Sequence, residues 1–221
     1  MDLIDNIFFI NLESRIDRYK YFMENYKKYF NKNLIRINAI DGKNHKYSLN
    51  EIKLLSKADW NIYEKPGVQG CFFSHLFIID HIIKNNLQIS LILEDDIQFT
   101  DPENLNTDLK NIIENLPKDW EIVFTGHSIL GHNLTEKINE YIYKTNVNHC
   151  THCYIISLEG AKNIYKHILN VGIYRAIDNF YNDYLIFKNI FYTSTKSLGI
   201  QNNRYESNIQ DKNNKIYGFK I

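Results

Sequence analysis

Residues 90–99 read SLILEDDIQF, an apolar strand that runs directly into three consecutive acids, Glu94, Asp95 and Asp96, before apolar residues resume. Like charges repel, and strand ends near a core do not normally collect them. A divalent cation would compensate this charge, and carboxylate oxygens suit Mg²⁺, Mn²⁺ or Ca²⁺ better than softer metals. The alternative is a solvated acidic turn at the end of a buried strand.

The segments before this stretch predict how the strand is embedded. A short apolar run at residues 6–12 predicts a first buried strand, and alternation at residues 34–39 predicts a second. Between them, apolar residues recur at helical spacing, with Ser14 predicted as the N-cap and Asp17 as its capping-box partner. A strand–helix–strand start is typical of an α/β domain with a parallel sheet.

The rest of the chain alternates in the same way. Pro66-Gly67 is predicted to break the chain, and residues 126–140 to form a polar loop. No internal repeat or linker divides the sequence, so residues 1–221 are predicted to form one domain with a polar tail from about residue 202. The patterns predict helices from Ser48, from Gly70 to about Asn85, over 102–116, from the cap Ser157 to about Leu169 and over 176–188, and strands over 88–93, 121–124, 141–143, 153–156 and 190–193.

Composition limits the kind of protein this is. Lys+Arg and Asp+Glu both number 26, so no global basic field favours nucleic acid as a partner. No segment approaches the roughly 18 apolar residues of a membrane span. The apolar run near the N-terminus is too short for a signal peptide and lacks a preceding basic region, which predicts a cytoplasmic chain or one cut from a longer precursor. The three cysteines do not make a disulfide framework.

Two arginines follow the first predicted strand. Arg15 and Arg18 lie in the first turn of the predicted helix, where the helix dipole disfavours cations by a few tenths of a kcal/mol. Cations are useful there if an anion docks at the free N–H groups of the helix N-terminus. Nucleotides bind at such strand-end crevices in open α/β sheets. The alternative is two solvated arginines on a surface helix.

For the other candidate residues, a structural role explains the sequence as well as a functional role does. Asp41 ends the second strand, where an acid can bind ribose or simply form an Asp-Gly turn. Ser74 and His75 are adjacent on an apolar helix and point about 100° apart, so they cannot be a nucleophile and its base. One of them can still face a ligand, although a lone helical histidine is more often structural.

Two further patterns with possible functional meaning lie in the C-terminal half of the sequence. Residues 149–153, HCTHC, superficially suggest zinc, but strand alternation would separate the side chains and no second cysteine pair exists. Asp178 sits in an apolar setting at a predicted helix start. An acid there suits the helix dipole, and a poorly solvated carboxylate also suits a general base.

Taken in order, these segments resemble glycosyltransferase family 25, which includes lipopolysaccharide and collagen hydroxylysine galactosyltransferases. The resemblance covers about residues 6–210, and each motif is short but the ordered set is specific. The matching segments are Phe9-Ile10-Asn11-Leu12 with Arg15 and Arg18, Ala39-Ile40-Asp41-Gly42, Gly70-Cys71 with Ser74-His75, Leu93-Glu94-Asp95-Asp96, Thr151 with Tyr154-Ile155-Ile156-Ser157 and Gly160-Ala161, Ile177-Asp178 with Phe180, and Gln201 with Ser207-Asn208-Ile209.

The resemblance implies a GT-A-like fold, a nucleotide-binding α/β sandwich with a mostly parallel central sheet. It implies inverting transfer of a hexose from a nucleotide sugar, usually a UDP-sugar, to a hydroxyl on a glycan, lipid or protein. Mn²⁺ or Mg²⁺ is the implied cofactor, with Asp96 and Glu94 as its ligands. The residues implied to bind the nucleotide sugar are Asn11, Leu12, Arg15, Arg18, Asp41, Ser74, His75, Glu94, Asp95 and Gln201.

The same resemblance makes Asp178 the expected base, with Asp183 as the fallback. One departure is the absence of a histidine after Phe191, so Gln201 or water is expected to take the place of a late histidine ligand. A cytoplasmic enzyme of bacterial or viral type suits this sequence best. Two alternatives remain open: a metal-dependent phosphohydrolase, which needs a second metal cluster about 4 Å away, and an inactive nucleotide-sugar-binding protein of the same fold.

Overall fold

The computed structural model describes residues 3–30, 32–57, 65–126 and 134–202. Most of the predicted tail, including Ser207-Asn208-Ile209, lies outside these ranges. In chain order the elements are β1 (Asn6–Asn11), α1 (Ile16–Asn25), a 3₁₀ turn (Lys27–Tyr29), β2 (Leu34–Asn38), α2 (Leu49–Leu55), α3 (Pro66–Lys84), β3 (Ile89–Glu94), β4 (Ile97–Phe99), α4 (Leu105–Glu114), β5 (Ile122–Phe124), β6 (Leu134–Lys137), β7 (Ile142–Thr145), β8 (Cys153–Ser157), α5 (Leu158–Val171), α6 (Ile177–Lys188), β9 (Tyr192–Ser194) and β10 (Gly199–Gln201).

The central sheet has eight strands in the order β2-β1-β3-β8-β5-β9-β7-β6. β2, β1 and β3 are mutually parallel, and β9 is parallel to β5. β8 runs antiparallel to both of its neighbours, and β7 does the same. Only these two strands therefore oppose the direction of the other six described strands in this sheet. This confirms the predicted α/β class with a mostly parallel sheet.

Helices pack on both faces of the sheet. Adjacent residues on a strand point to opposite faces, so both sets of side chains are buried. Phe8 and Phe9 on β1 are both fully buried. The ring of Phe8 contacts His81 of α3 edge-on at 5.5 Å between centroids, whereas Phe9 packs on Phe22 of α1 at 4.1 Å. A strand buried on both faces explains the continuous apolar run by which β1 was predicted.

Helix starts show where the local signals succeed and fail. Ser48 forms the full capping box with Glu51 and begins α2, as predicted. The Ser14 cap is wrong: Arg15 is the N-cap of α1 without a side-chain capping bond, because Asp17 pairs with the Arg15 side chain instead. The predicted break at Pro66 is the first residue of α3, a position where the N–H that proline lacks has no helical partner.

The predicted loop at residues 126–140 is also wrong in part, since residues 134–137 form β6. This strand has no buried face: its residues are all exposed, and among the described residues it pairs with β7 alone. A strand without an apolar face shows no alternation of the kind on which the prediction depended.

The loop after β2 lies directly against the start of α3. A Cβ added to Gly70 would lie 2.2 Å from the carbonyl oxygen of Ile40, and one added to Gly42 would lie 1.7 Å from that of Pro66. Ser74 fastens the same junction: its hydroxyl accepts from the Ile40 N–H at 2.8 Å and donates to the Gly70 carbonyl at 2.6 Å. The two glycines therefore let backbone meet backbone.

Gly70→Ala is expected to destabilise the protein by about 3 kcal/mol, because the methyl group must displace backbone atoms rather than a flexible side chain. In an unobstructed helix the same change would stabilise by about 1 kcal/mol, so the sign separates the two effects. Urea unfolding of the variant and the wild type measures the difference. A more stable variant would show that the junction is loose.

Candidate active site

The carboxyl ends of β1 and β3 meet at one edge of the sheet because the strands are parallel. Asn11, the last residue of β1, donates from Nδ2 to Oδ2 of Asp95 at 2.7 Å. Arg18 of α1 donates from Nη1 to the other carboxylate oxygen of Asp95 at 2.6 Å. Asn11 Oδ1 accepts in turn from Arg36 Nη2 at 2.6 Å. Asp95 is thus held by two donors on β1 and α1.

The two predicted arginines have different surroundings. Arg18 is buried against Asp95, and its Nη1 also lies 3.8 Å from Oδ2 of Asp96. Arg15 pairs with Asp17 at 2.9 Å on the surface, and its N–H bonds the carbonyl of half-buried Leu12. The chain itself therefore supplies part of the positive charge that the acidic triplet requires. Contact of Arg15, Arg18 and Leu12 with a nucleotide sugar stays a prediction.

Asp96 is the acid whose hydrogen-bonding capacity is not filled by the described residues. Its side chain is buried, and Oδ2 accepts from Gln201 Nε2 at 3.0 Å. Its Oδ1 is buried and has no hydrogen-bond partner within the described residues. A buried carboxylate oxygen without a donor is costly, whereas a cation ligand is expected to look like this in the absence of its ion. The residues present therefore fit a divalent metal at Asp96.

Gln201 reaches Asp96 through a small separate sheet. β10 pairs antiparallel with β4, which places Gln201 opposite Ile97, and the Asn202 N–H donates to the Asp96 carbonyl at 2.6 Å. Neither short strand was predicted from the sequence. The resemblance placed Gln201 at the site, and the structure brings it to the predicted metal ligand.

Glu94 is oriented from two sides. Thr151 Oγ1 donates to Oε1 at 2.5 Å, and His75 Nε2 lies 3.2 Å from the same oxygen. Because a carboxylate only accepts, Nε2 carries the imidazole proton, and the Tyr154 hydroxyl donates to Nδ1 at 2.9 Å. Burial raises the pKa of Glu94, but these hydrogen bonds outweigh it and hold the pKa below its usual value. Both bonds end on Oε1, which leaves Oε2 available.

A cleft beside Glu94 contains the predicted base. Asp178 lines it, and burial raises the pKa of this carboxyl although its Oδ1 accepts from the Asn179 N–H at 2.7 Å. The fallback, Asp183, pairs instead with Arg175 at 2.8 Å and is not among the residues that line the cleft. The other lining residues are Val68, Cys71, Glu94, His149, Cys150, Thr151, His152, Ala176, Ile177 and Gln201.

Of the ten predicted donor-binding residues, Glu94 and Gln201 line this cleft and the other eight do not. Asp41 and Ser74 are two of the eight, and both have structural contacts of their own. Asp41 is exposed, and its carboxylate accepts from the Lys43 N–H and from Asn44 Nδ2 in a tight turn. Ser74 is engaged at the junction of β2 and α3. The Asp41 arrangement is the Asp-Gly turn that was the structural alternative for this residue. Contact of Asp41 or Ser74 with a donor remains a prediction.

The loop before β8 contributes residues that were not predicted as site residues. His149 and Cys150 line the cleft, and the loop is anchored where the Asn148 N–H donates to Asn182 Oδ1 of α6 at 3.1 Å. Cys153 instead lies buried in β8 with its sulfur 3.0 Å from Thr125 Oγ1. The HCTHC pattern is thereby divided between cleft and core, in agreement with the argument against zinc there. No local sequence signal identifies the loop as a cleft wall.

Three buried carboxyls are expected to make the metal-free protein less stable as the pH rises, against the opposite contribution of His152 and His167, whose pKa burial lowers. Burial raises the pKa of Asp96 from 3.8 to about 7, with Glu94 adding to the rise, and burial also raises the pKa of Asp95 and Asp178. The folded state therefore holds protons that the unfolded chain releases, so unfolding becomes easier between about pH 4 and 7. Urea unfolding in a chelating buffer across this range measures the slope. A slope between pH 4 and 7 that is the same in Asp96→Asn as in the wild type would contradict the raised pKa of Asp96.

In the part of the chain that the structure describes, no helix combines the length and apolar character needed to traverse a bilayer.

Comparison with known proteins gives one family. The model of glycosyltransferase family 25, described as an LPS biosynthesis protein, matches residues 4–181. Procollagen galactosyltransferase 2 of Mus musculus is 28% identical in an alignment 180 residues long, which covers 72% of this chain and 27% of that protein. Procollagen galactosyltransferase 1 of Danio rerio is 29% identical over 175 residues, 73% and 28% of the two chains. The chain thus spans little more than a quarter of the length of these curated relatives.

The solved structures that match this chain are less similar to it in sequence than these relatives are. A glycosyltransferase involved in glycosylation of the major capsid of PBCV-1 shares 12% identity with a TM-score of 0.40, covering 84% of this chain and 75% of that one. Mouse xyloside xylosyltransferase 1 shares 10% identity with a TM-score of 0.44, covering 84% and 70%.

Proposed function

The chain belongs to glycosyltransferase family 25, and from this premise we propose that it transfers a hexose from a nucleotide sugar to an acceptor hydroxyl with inversion. The observation that carries the proposal is the buried Oδ1 of Asp96, which has no hydrogen-bond partner among the described residues. Gln201, which donates to the other oxygen of Asp96, lines the same cleft as Glu94 and Asp178. A divalent ligand site and a poorly solvated base at one strand-end crevice are what an inverting displacement of a diphosphate requires.

Asp96 and Glu94 would hold Mn²⁺ or Mg²⁺, since both offer carboxylate oxygens and the described contacts leave one oxygen of each available. Such an ion supplies neutralisation of the charge that develops on a diphosphate leaving group. The chain prepares these ligands in advance. His75 and Thr151 fix Glu94, and Gln201 fixes the second oxygen of Asp96.

Asp178 takes the proton of the acceptor hydroxyl in this proposal. Its raised pKa brings a carboxylate closer to the proton affinity that a general base needs at neutral pH. Its position on the cleft wall, on α6 rather than on the strand that carries Glu94, supports a role on the acceptor side. Asp95 serves differently: held by Asn11 and Arg18, it ties β1 and α1 to the acidic turn.

The donor is proposed to be a UDP-sugar. The curated relatives are named as galactosyltransferases that act on procollagen, which makes UDP-galactose the first donor to test. The acceptor hydroxyl belongs to a glycan, lipid or protein.

A thermal-shift screen of nucleotide sugars with and without Mn²⁺ tests the proposal. A ligand at about 100 times its Kd stabilises by about 2.7 kcal/mol, which raises the midpoint of a chain of this size by roughly 5–10 °C. One UDP-sugar is expected to give such a rise, and a larger one with Mn²⁺. If no nucleotide sugar raises the midpoint and phosphate esters are hydrolysed instead, the phosphohydrolase alternative replaces this proposal.

A further inference from the structure

Helix α3 carries two metal-ligating side chains that face the end of β3. Cys71 and His75 are four residues apart and so lie on one face of the helix. The Cys71 sulfur, a ring nitrogen of His75 and a carboxylate oxygen of Glu94 all lie within 4.8 Å of one another. We propose that this trio, hereafter the Cys71 trio, is a second metal site that binds a thiophilic divalent ion such as Zn²⁺.

The ligand set separates this site from the one at Asp96. Zn²⁺ takes thiolate, imidazole and carboxylate ligands, and three protein ligands with one open position make a solvent-accessible zinc centre. Mg²⁺ and Mn²⁺ instead prefer sites built from oxygen. The Cys71 trio offers sulfur, nitrogen and oxygen, whereas Asp96 and its neighbour Gln201 offer no sulfur or imidazole.

The histidine is already supported in the manner of a metal ligand. Its Nδ1 lies 2.9 Å from the Tyr154 hydroxyl, which lies 3.4 Å from the hydroxyl of Tyr181. This fully buried chain fixes the ring so that Nε2 points to Glu94. Outer partners of this kind orient ligating histidines and commonly change metal affinity 10–100-fold when removed.

Proton positions allow the ion to enter without charging the imidazole. Coordination by Nε2 moves the ring proton to Nδ1, where the oxygen of Tyr154 accepts it, and the Tyr154 hydroxyl can then donate to Tyr181. One proton leaves to solvent, from the Cys71 thiol. Burial raises the pKa of this thiol, and Glu94, Asp178 and Asp96 add to the rise. The same three carboxylates attract a divalent cation.

A metal ion bound by the Cys71 trio takes Glu94 as a ligand, so Glu94 is no longer available to the metal ion at Asp96. If the transfer reaction proposed above uses Glu94 as a ligand of Mn²⁺ or Mg²⁺, bound Zn²⁺ inhibits that reaction. This consequence rests on the proposed function, but the site does not, since Zn²⁺ binding is measured without any sugar donor.

The full chain is titrated with Co²⁺ and then Zn²⁺ in the absence of nucleotide sugar. Co²⁺ is expected to give the near-ultraviolet charge-transfer absorption of a cobalt–thiolate bond, and Zn²⁺ is expected to remove it. Cys71→Ala should abolish the absorption and weaken Zn²⁺ binding at least tenfold. Cys150→Ala is the matched control, because Cys150 is also half-buried on the same cleft but is not in the trio, and it should keep both signals.

A second measurement uses the wild-type protein alone, so it survives a folding defect in the variants. Zn²⁺ is expected to protect Cys71, and not Cys150, from alkylation by iodoacetamide as mapped by mass spectrometry. Absorption that persists in Cys71→Ala, absorption lost only in Cys150→Ala, or alkylation of Cys71 unchanged by Zn²⁺ would each overturn the proposal. All three results can be read whether or not the protein transfers sugar.

Discussion

Asp96→Asn is expected to reduce metal-dependent transfer by about a thousandfold while making the metal-free protein more stable. Metal neutralisation of a leaving group contributes several kcal/mol to the transition state, and about 4 kcal/mol corresponds to three orders of magnitude in rate. The fold gains because the buried Asp96 carboxylate lies near Glu94, and its pKa is raised to about 7 by burial first and by that neighbour second. A neutral amide of the same size removes this penalty.

The gain should be of the order of 2 kcal/mol at pH 8, equivalent to roughly 4–8 °C in the thermal midpoint. It should vanish near pH 4, where the wild-type carboxyl is protonated too. Steady-state transfer assays and calorimetry in a chelating buffer measure the two effects. The control is Asp101→Asn, a half-buried acid paired with Lys196 at 2.9 Å, for which neither effect is expected. Metal-dependent transfer that survives Asp96→Asn would remove Asp96 from the site.

Asp178→Asn is expected to lower transfer by a factor of 10²–10⁴, the usual contribution of a general base. The amide keeps the size and the hydrogen bond from the Asn179 N–H but takes no proton. Donor and Mn²⁺ should still raise the thermal midpoint, because Asp178 lies on α6, whereas the proposed ligands Glu94 and Asp96 adjoin β3. Loss of turnover with retained donor binding is the signature of a group that acts in the chemical step.

The matched control for this change lies on the same helix. Asp183 is half-buried, is paired with Arg175 and does not line the cleft, so Asp183→Asn should leave transfer within about twofold of the wild type. Full activity in Asp178→Asn together with loss in Asp183→Asn would reassign the base to Asp183.

Local sequence patterns were sufficient to predict the strand that ends at the acidic residues. The apolar run Leu91-Ile92-Leu93 before Glu94 predicts a buried strand, and the structure ends β3 at Glu94. Parallel strands then bring Asn11 to Asp95 at the same edge, as the strand–helix–strand start implied. The predictions that failed depended on information that is not local. The Arg15 side chain binds Asp17, which was predicted to belong to the capping box. Strand β6 lacks the apolar face that would have identified it.

The cleft itself could not be predicted from periodicity. Asp178, His149 and Cys71 come together because α6, the loop before β8 and α3 pack around the end of β3, and their separation along the chain hides this. The spacing of Cys71 and His75 was visible as a helical i, i+4 pair. Its meaning required Glu94, which a strand from elsewhere in the sequence brings opposite.

The pairing of β10 with β4 has a consequence for the order of synthesis. Asp96 and Gln201 are separated by 105 positions, so a chain emerging from the ribosome exposes the acidic turn long before its amide partner exists. The same late strand supplies the Gly199 carbonyl that lies 3.2 Å from His152 Nε2. The ligand geometry at Asp96 therefore cannot be completed until β10 has been synthesised.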